Sequence, residues 1–355
     1  MLCKRFGIDH IEIAEDITSE TFLTALETWP YQGVPVNPTA WLYTVAKNKV
    51  RNHIVRQGLY SDKVLSNINS SHLDHSEMDI DLSPGNITDS QLRMLFAICH
   101  PVIEASAQIA LALRILCGFG IDEIANAFLT GKETINKRLY RAKEKLRREQ
   151  VQIAFPSPSE IPKRLENVLT TLYLLFNEGY YSENDDRVLR EDLCLEAMRL
   201  THLLIENAQT KLPEVHALMA LMCFHASRFE ARKNDRDEIV LYHDQDQSLW
   251  NQELIARGAY FLHESSHGNM LCKYHLEAGI AYWYTIKEDS PEKWENILQL
   301  YNHLLQIAYS PIAALNRTYA LSKVQGNEDA IVEAEKLKLT NNHIISRSWV
   351  NYILV

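Results

Sequence analysis

The chain has 355 residues, 46% of them hydrophobic and 23% charged, which fits folded globular domains and excludes a disordered or fibrous protein. Its length predicts two or three domains rather than one, and no uninterrupted apolar run approaches the ~18 residues that a membrane span needs. The net charge of -10 is uneven: residues 1–155 carry 17 Lys/Arg against 18 Asp/Glu, and the remainder 19 against 28. A chain this acidic can still meet nucleic acid, because counterion release depends on the charge that faces the phosphates.

In chain order the elements read as helical throughout, so the expected fold class is all-α. Ile17, Thr21, Ala25 and Thr28 alternate with Phe22, Leu23 and Leu26 at helical spacing. The run Trp29–Pro38 holds three prolines and a glycine and is expected to stand outside any helix. A second helix is expected from about Thr39, with Trp41, Leu42, Val45 and Val50 on its apolar side. From Pro30 to Ser61 there is no acidic residue, while Lys47, Lys49, Arg51 and Arg56 are basic. Residues 58–90 are rich in Ser, Asn and Asp and read as an acidic linker.

Ile109, Leu113 and Leu116 mark the next helix, Ile121, Ile124, Ala125 and Phe128 a short one, and Leu129-Thr130-Gly131 a turn. The following helix has Ile135, Leu139, Ala142 and Leu146 on one stripe. From Lys132 to Arg148 it holds eight basic residues and two acidic ones. A short helix, a glycine turn and a helix apolar on one stripe and basic elsewhere predict a helix-turn-helix. The stripe docks the helix and the leading face can reach bases and phosphates. A plain solvated surface helix is the alternative reading.

After Pro156-Ser157-Pro158 the chain reads as helical to its end. Small residues from Ala313 to Leu321, then Gly326-Asn327, Ala330 and Ala334, resemble a tetratricopeptide hairpin, without a fixed repeat period elsewhere. The expected domains are therefore 1–57, the linker 58–90, 91–155, and a helical extension over 156–355. The six cysteines lie far apart without a CxxC pair, which predicts reduced, mostly buried thiols of a cytoplasmic protein. Acid at Asp9 comes too early for a secretory leader.

The order of motifs carries a family resemblance. Ala14 to Leu26 resembles the core-polymerase-binding helix of sigma-70 family factors. Asn37-Pro38-Thr39-Ala40-Trp41-Leu42 with Ala46-Lys47-Asn48-Lys49 resembles the next helix of the extracytoplasmic-function group, and Ile121–Leu146 that group's helix-turn-helix. His100-Pro101, Leu116-Cys117-Gly118, Phe176–Tyr180 and Asp244–Gln247 are similar to a subgroup with a tetratricopeptide-like extension.

The resemblance implies an alternative sigma factor and assigns roles. Asp16, Ser19 and Glu20 would touch the clamp helices of the largest subunit of core RNA polymerase, with Ser19 standing where many relatives carry Gln. Lys47, Asn48, Arg51 and Asn52, with the Trp29–Pro38 loop, would capture the melted -10 strand. Lys132 would lie at the same DNA face as Asn136, Lys137, Arg138, Tyr140 and Arg141, which would read the -35 element. Promoter DNA and core polymerase are the implied partners, with a further regulatory protein at the extension, and no membrane. The resemblance also implies a shortened front end before the first helix and a shortened extension at Ile353-Leu354-Val355. No enzyme activity, cofactor or metal is expected. Two alternatives stand beside it, a helical-repeat scaffold and a DNA-binding regulator acting without polymerase.

His263-Glu264-Ser265-Ser266-His267 has the HExxH form of zinc proteases, but the following Gly268-Asn269 predicts a helix end, and no third ligand is evident. Phe176–Tyr180 is expected to be a buried polar network with Gly179 at a helix cap. Tyr282, Trp283 and Tyr284 are expected to be helix packing, His100-Pro101 a turn, and Trp41 core.

Overall fold

The computed structural model describes residues 11–60, 84–128, 130–180, 190–234, 240, 242–268 and 270–337. Among these the regular structure is α-helical with no strand, as expected. The chain divides into two compact units, one drawn from residues 1–98 and 141–155, the other from 99–140 and 156–355.

In the first unit α1 (Ile11–Gln32) packs on α2 (Pro38–Tyr60). Ile11, Ala14, Ile17, Thr21 and Ala25 are buried along one stripe of α1, at spacings of three and four. Ile17 meets Ala46 and Val50 of α2. Thr18, Thr21 and Thr24 each donate a hydroxyl to the carbonyl four residues earlier, at 2.6–2.8 Å, so polar side chains here are satisfied by their own helix.

The expected break at Trp29 falls later, since α1 continues through Pro30 to Gln32. A proline in a last turn removes one hydrogen bond, and the carbonyl it fails to serve belongs to Leu26, on the exposed face. Gly33 ends the helix at φ +82°, and its N–H reaches the Trp29 carbonyl at 2.9 Å. Asn37 then caps α2, its Oδ1 accepting from the Ala40 amide at 3.0 Å. Trp29 and Trp41 meet edge to face at 5.4 Å, and Trp41 is half-buried against this partner rather than in the core as expected.

The expected linker begins within α2 and ends within α3 (Pro84–Ile98), and its residues 61–83 lie outside the described residues. So do Met1–His10, Cys3, Leu129, Asn269 and Ile353–Val355.

In the second unit α4 (Ala105–Leu111) widens into a π-type turn over Ala112–Leu116, followed by α5 (Ile121–Ala127). Helix α6 (Lys132–Arg148) starts in this unit and finishes in the first. Among the described residues eight helices follow in the second unit. They are α7 (Ile161–Tyr180), α8 (Glu191–Glu206), α9 (Pro213–Ala226), α10 (Gln252–Ser265), α11 (Lys273–Thr285), α12 (Pro291–Ile307), α13 (Pro311–Gln325) and α14 (Asn327–Lys336).

Each of these packs on the next, and α9 also packs on α11 and α7. Every residue of α9 from Val215 to Ala226 is buried, the mark of a helix enclosed on all sides. The entry to α12 is set by sequence: Ser290 accepts from the Lys293 amide at 3.3 Å with Pro291 in the first turn. Ser310 and Pro311 repeat the device at α13. Gly326, at φ +100°, is the single residue between α13 and α14, a conformation that a residue with a Cβ rarely adopts.

Gly179 has a different role from the expected cap. It lies within α7, where an added Cβ would come within 2.7 Å of the Arg190 carbonyl and 2.8 Å of the Cys194 sulfur. The small residue lets α8 begin against the α7 backbone, and the Arg190 amide donates to the Gly179 carbonyl at 2.9 Å. Gly179→Ala should therefore lower stability by about 1–3 kcal/mol through forced separation of α7 and α8. Thermal unfolding checks this, and an unchanged midpoint would contradict the close approach.

Candidate functional site

Three surfaces carry the residues singled out in the sequence. The first is the outer face of α1, opposite its buried stripe. Asp16, Ser19 and Glu20 are exposed there. Beside them stand the exposed apolar side chains Phe22, Leu23 and Leu26, the last 73% accessible. Tyr31, Val34 and Val36 extend the exposed apolar surface into the loop. Large apolar residues grouped at a helix face with acids at its edge are the composition of an interaction surface. Glu20 is not wholly free, since Lys49 of α2 lies 3.2 Å from it. Sequence reasoning fixed on the charged positions and missed Leu23 and Leu26 as surface residues. The signal was available, because they fall on the wheel opposite Ile17 and Thr21.

The second surface is α2. Asn48, Arg51 and Asn52 are exposed, Lys47 is half-buried, and Lys49 is engaged by Glu20.

The third is α5 with α6. Glu123 accepts from the Gly120 amide at 2.5 Å and caps α5. Ile135, Leu139, Ala142 and Leu146 of α6 are buried, as the spacing predicted. Lys132, Asn136, Lys137, Tyr140 and Arg141 are exposed, Tyr140 to 65%. Lys132 pairs with Asp122 at 2.5 Å and Lys137 with Glu133 at 2.8 Å, both on the surface where such pairs are weak. Arg138 differs from its neighbours: it is half-buried, with its guanidinium 5.0 Å from the centre of the Phe128 ring.

Not all the basic residues of α6 face outward. Lys143 is buried and lies 2.5 Å from Glu15 of α1, and Arg147 reaches Glu12 of α1 at 2.9 Å. These two basic residues hold the last turns of α6 against α1 within the first unit. The outward charge of α6 is therefore carried by Lys132, Lys137, Arg141, Lys145 and Arg148.

The HExxH string does not build a metal site. Helix α10 ends at Ser265, so His267 lies beyond it, and its ring stands 5.2 Å from that of His263. Among the described residues no group of three metal-ligating side chains converges. The thiols of Cys99, Cys117 and Cys223 are pushed up to about 12 by burial, which keeps them protonated and inert. Tyr284 is buried in the core between α11 and α12, and its carbonyl accepts from the Tyr242 hydroxyl at 2.8 Å, so the aromatic cluster is packing.

The sigma-70 region 2 model matches residues 2–59, which takes in α1, the loop after it and α2. The chain carries a sigma-70 region 2 domain at its N-terminal end. Two of the three surfaces lie within that match, while α5 and α6 lie between it and a second one. The second is a family of unknown function (DUF6596) that matches residues 164–266, from α7 to the end of α10. An uncharacterized protein of Rhizobium meliloti is 34% identical over 334 residues, covering 92% of this chain and 78% of the relative, and the two belong to one family. No solved structure matches. No helix among the described residues is long and apolar enough to cross a membrane.

Proposed function

We propose that this chain is an alternative sigma factor of the extracytoplasmic-function group, which binds core RNA polymerase and directs initiation at specific promoters. The observation that carries the reading is the coincidence of the region 2 match with the exposed face of α1, where Leu23 and Leu26 stand beside Asp16, Ser19 and Glu20. This face binds the clamp helices of the largest polymerase subunit: the leucines supply apolar burial and the acids set orientation and encounter rate.

Helix α2, with Lys47, Asn48, Arg51 and Asn52, holds the melted -10 strand along a positive track. Helices α5 and α6 act as a helix-turn-helix, with Lys132, Asn136, Lys137, Tyr140 and Arg141 at the -35 duplex. Arg138 serves chiefly to seat α6 on Phe128. The expected organisation is region two over 1–57, the linker, region four over 91–155, and a tetratricopeptide-like extension over 156–355 that takes a regulatory protein. The chain works in the cytoplasm and is not itself an enzyme, since RNA synthesis belongs to the polymerase.

The test is transcription by purified bacterial core polymerase on a library of genomic fragments, with and without the full chain. The proposal predicts discrete new transcript starts that share a -35 and a -10 element. A start pattern identical to that of core enzyme alone would overturn it.

A further inference from the structure

Helices α7, α9, α11, α12 and α13 line a pocket of about 180 Å³ within the second unit. The volume is comparable to a cavity that holds a six-carbon ring. Only its α7 and α9 walls fall within the DUF6596 match. Its apolar lining includes Leu221, Ile280 and Leu304, and its polar lining Glu277, Asn316, Tyr301, Asn177 and Ser310.

Three features give the cavity a chemical preference. Asn316 is only 6% exposed and its side chain hydrogen-bonds Tyr301, yet its Oδ1 has no hydrogen-bond partner and so remains as a buried acceptor in the lining. Glu277 is the one carboxylate of the lining, and among the described lining residues none is lysine or arginine. The remaining basic group, His225, is held neutral by burial and by Arg228 and Arg232, so it supplies no countercharge. Lys273 lies one turn before Glu277, but its ammonium sits 4.6 Å from the centre of the Tyr173 ring and outside the lining.

We propose that this cavity binds a small aliphatic amine as its ammonium ion, with the Glu277 carboxylate as counter-ion and Asn316 Oδ1 as a second acceptor. The alkyl chain lies along Leu221, Ile280 and Leu304, and the aromatic ring of Tyr301 favours a cation over a neutral group. A carboxylate ligand or a zwitterionic amino acid has no partner for its negative end. Burial pushes the Glu277 carboxyl up to about 7, against the pull of Lys273 and the Tyr173 hydroxyl, so a second cation is what the site lacks.

Calorimetric titration of the full chain at a pH about one unit above that value tests this, with propylamine, butylamine and 1,4-diaminobutane as probes. Butyrate and butanol serve as controls of matched shape. The proposal predicts saturable binding of at least one amine and none of butyrate. Glu277→Gln and Asn316→Leu should each weaken it by about tenfold or more, since each removes an ion or hydrogen-bond partner in a desolvated site. Glu335→Gln, exposed on α14, should leave it unchanged. No amine binding, or equal binding by the Glu277→Gln variant, would overturn the proposal. The titration contains no polymerase, so its failure leaves the sigma-factor reading where it stands.

Discussion

Arg141→Glu should lower promoter-specific transcription by this chain about tenfold or more while leaving its affinity for core polymerase intact. The physical case rests on position and on what else the residue touches. Arg141 is exposed on α6 and forms no ion pair with a described residue, whereas its neighbours on the stripe, Leu139 and Ala142, are buried. A DNA-facing arginine contributes about 1–3 kcal/mol, and reversal adds repulsion from phosphate. The fold should survive, because an exposed substitution away from a cap or core costs little. The same substitution should flatten the salt dependence of promoter binding, since one fewer counterion is released. Initiation assays at two salt concentrations measure both effects. Unchanged transcript yield would remove α6 from the DNA interface.

Glu277→Gln should stabilise the protein at pH 8 by up to about 3 kcal/mol, and the gain should shrink as the pH falls towards 5. The folded carboxyl titrates at about 7 against an ordinary value of 4.5, because burial penalises its charged form. The neutral acid therefore contributes stability that is complete below about 4.5 and lost as the pH rises through about 7. Glutamine keeps the neutral hydrogen-bonding shape at every pH, so its advantage is largest where glutamate is ionised. The groups around it are Lys273, Tyr173, His225 and Tyr301. Burial, Arg228 and Arg232 hold His225 well below the ordinary histidine range, and burial keeps the Tyr301 hydroxyl protonated. Thermal unfolding of both proteins across this range is the measurement. Equal midpoints at pH 8 would show that the carboxylate is not penalised in the fold.

The helical stripes were legible because spacing alone decides them. Ile135, Leu139, Ala142 and Leu146 are buried as their interval predicted, and so are Ile17, Thr21 and Ala25. The turn at Gly326-Asn327 was legible for the same local reason. What escaped depended on contacts far apart in sequence. Lys143 and Glu15 are 128 positions apart, and nothing in either neighbourhood announces the pair that takes Lys143 out of the basic patch. Gly179 looked like a cap because glycine near a helix end usually is one; its purpose is set by Arg190 and Cys194 on the next helix. Pro30 marked a break that arrives only at Gly33, because a proline in the final turn loses a single hydrogen bond. The cavity was beyond reach, as its lining comes from five helices between Tyr173 and Asn316.

The measurement that bears most directly on the central claim is binding of the full chain to purified bacterial core RNA polymerase, in parallel with an Asp16→Ala/Glu20→Ala variant and a Leu23→Asp/Leu26→Asp variant. All four positions are exposed on α1, so both variants should fold as the parent does. The account predicts tight binding by the parent, weakened in the first variant and abolished in the second. No binding by the parent, or binding by both variants equal to that of the parent, would contradict it.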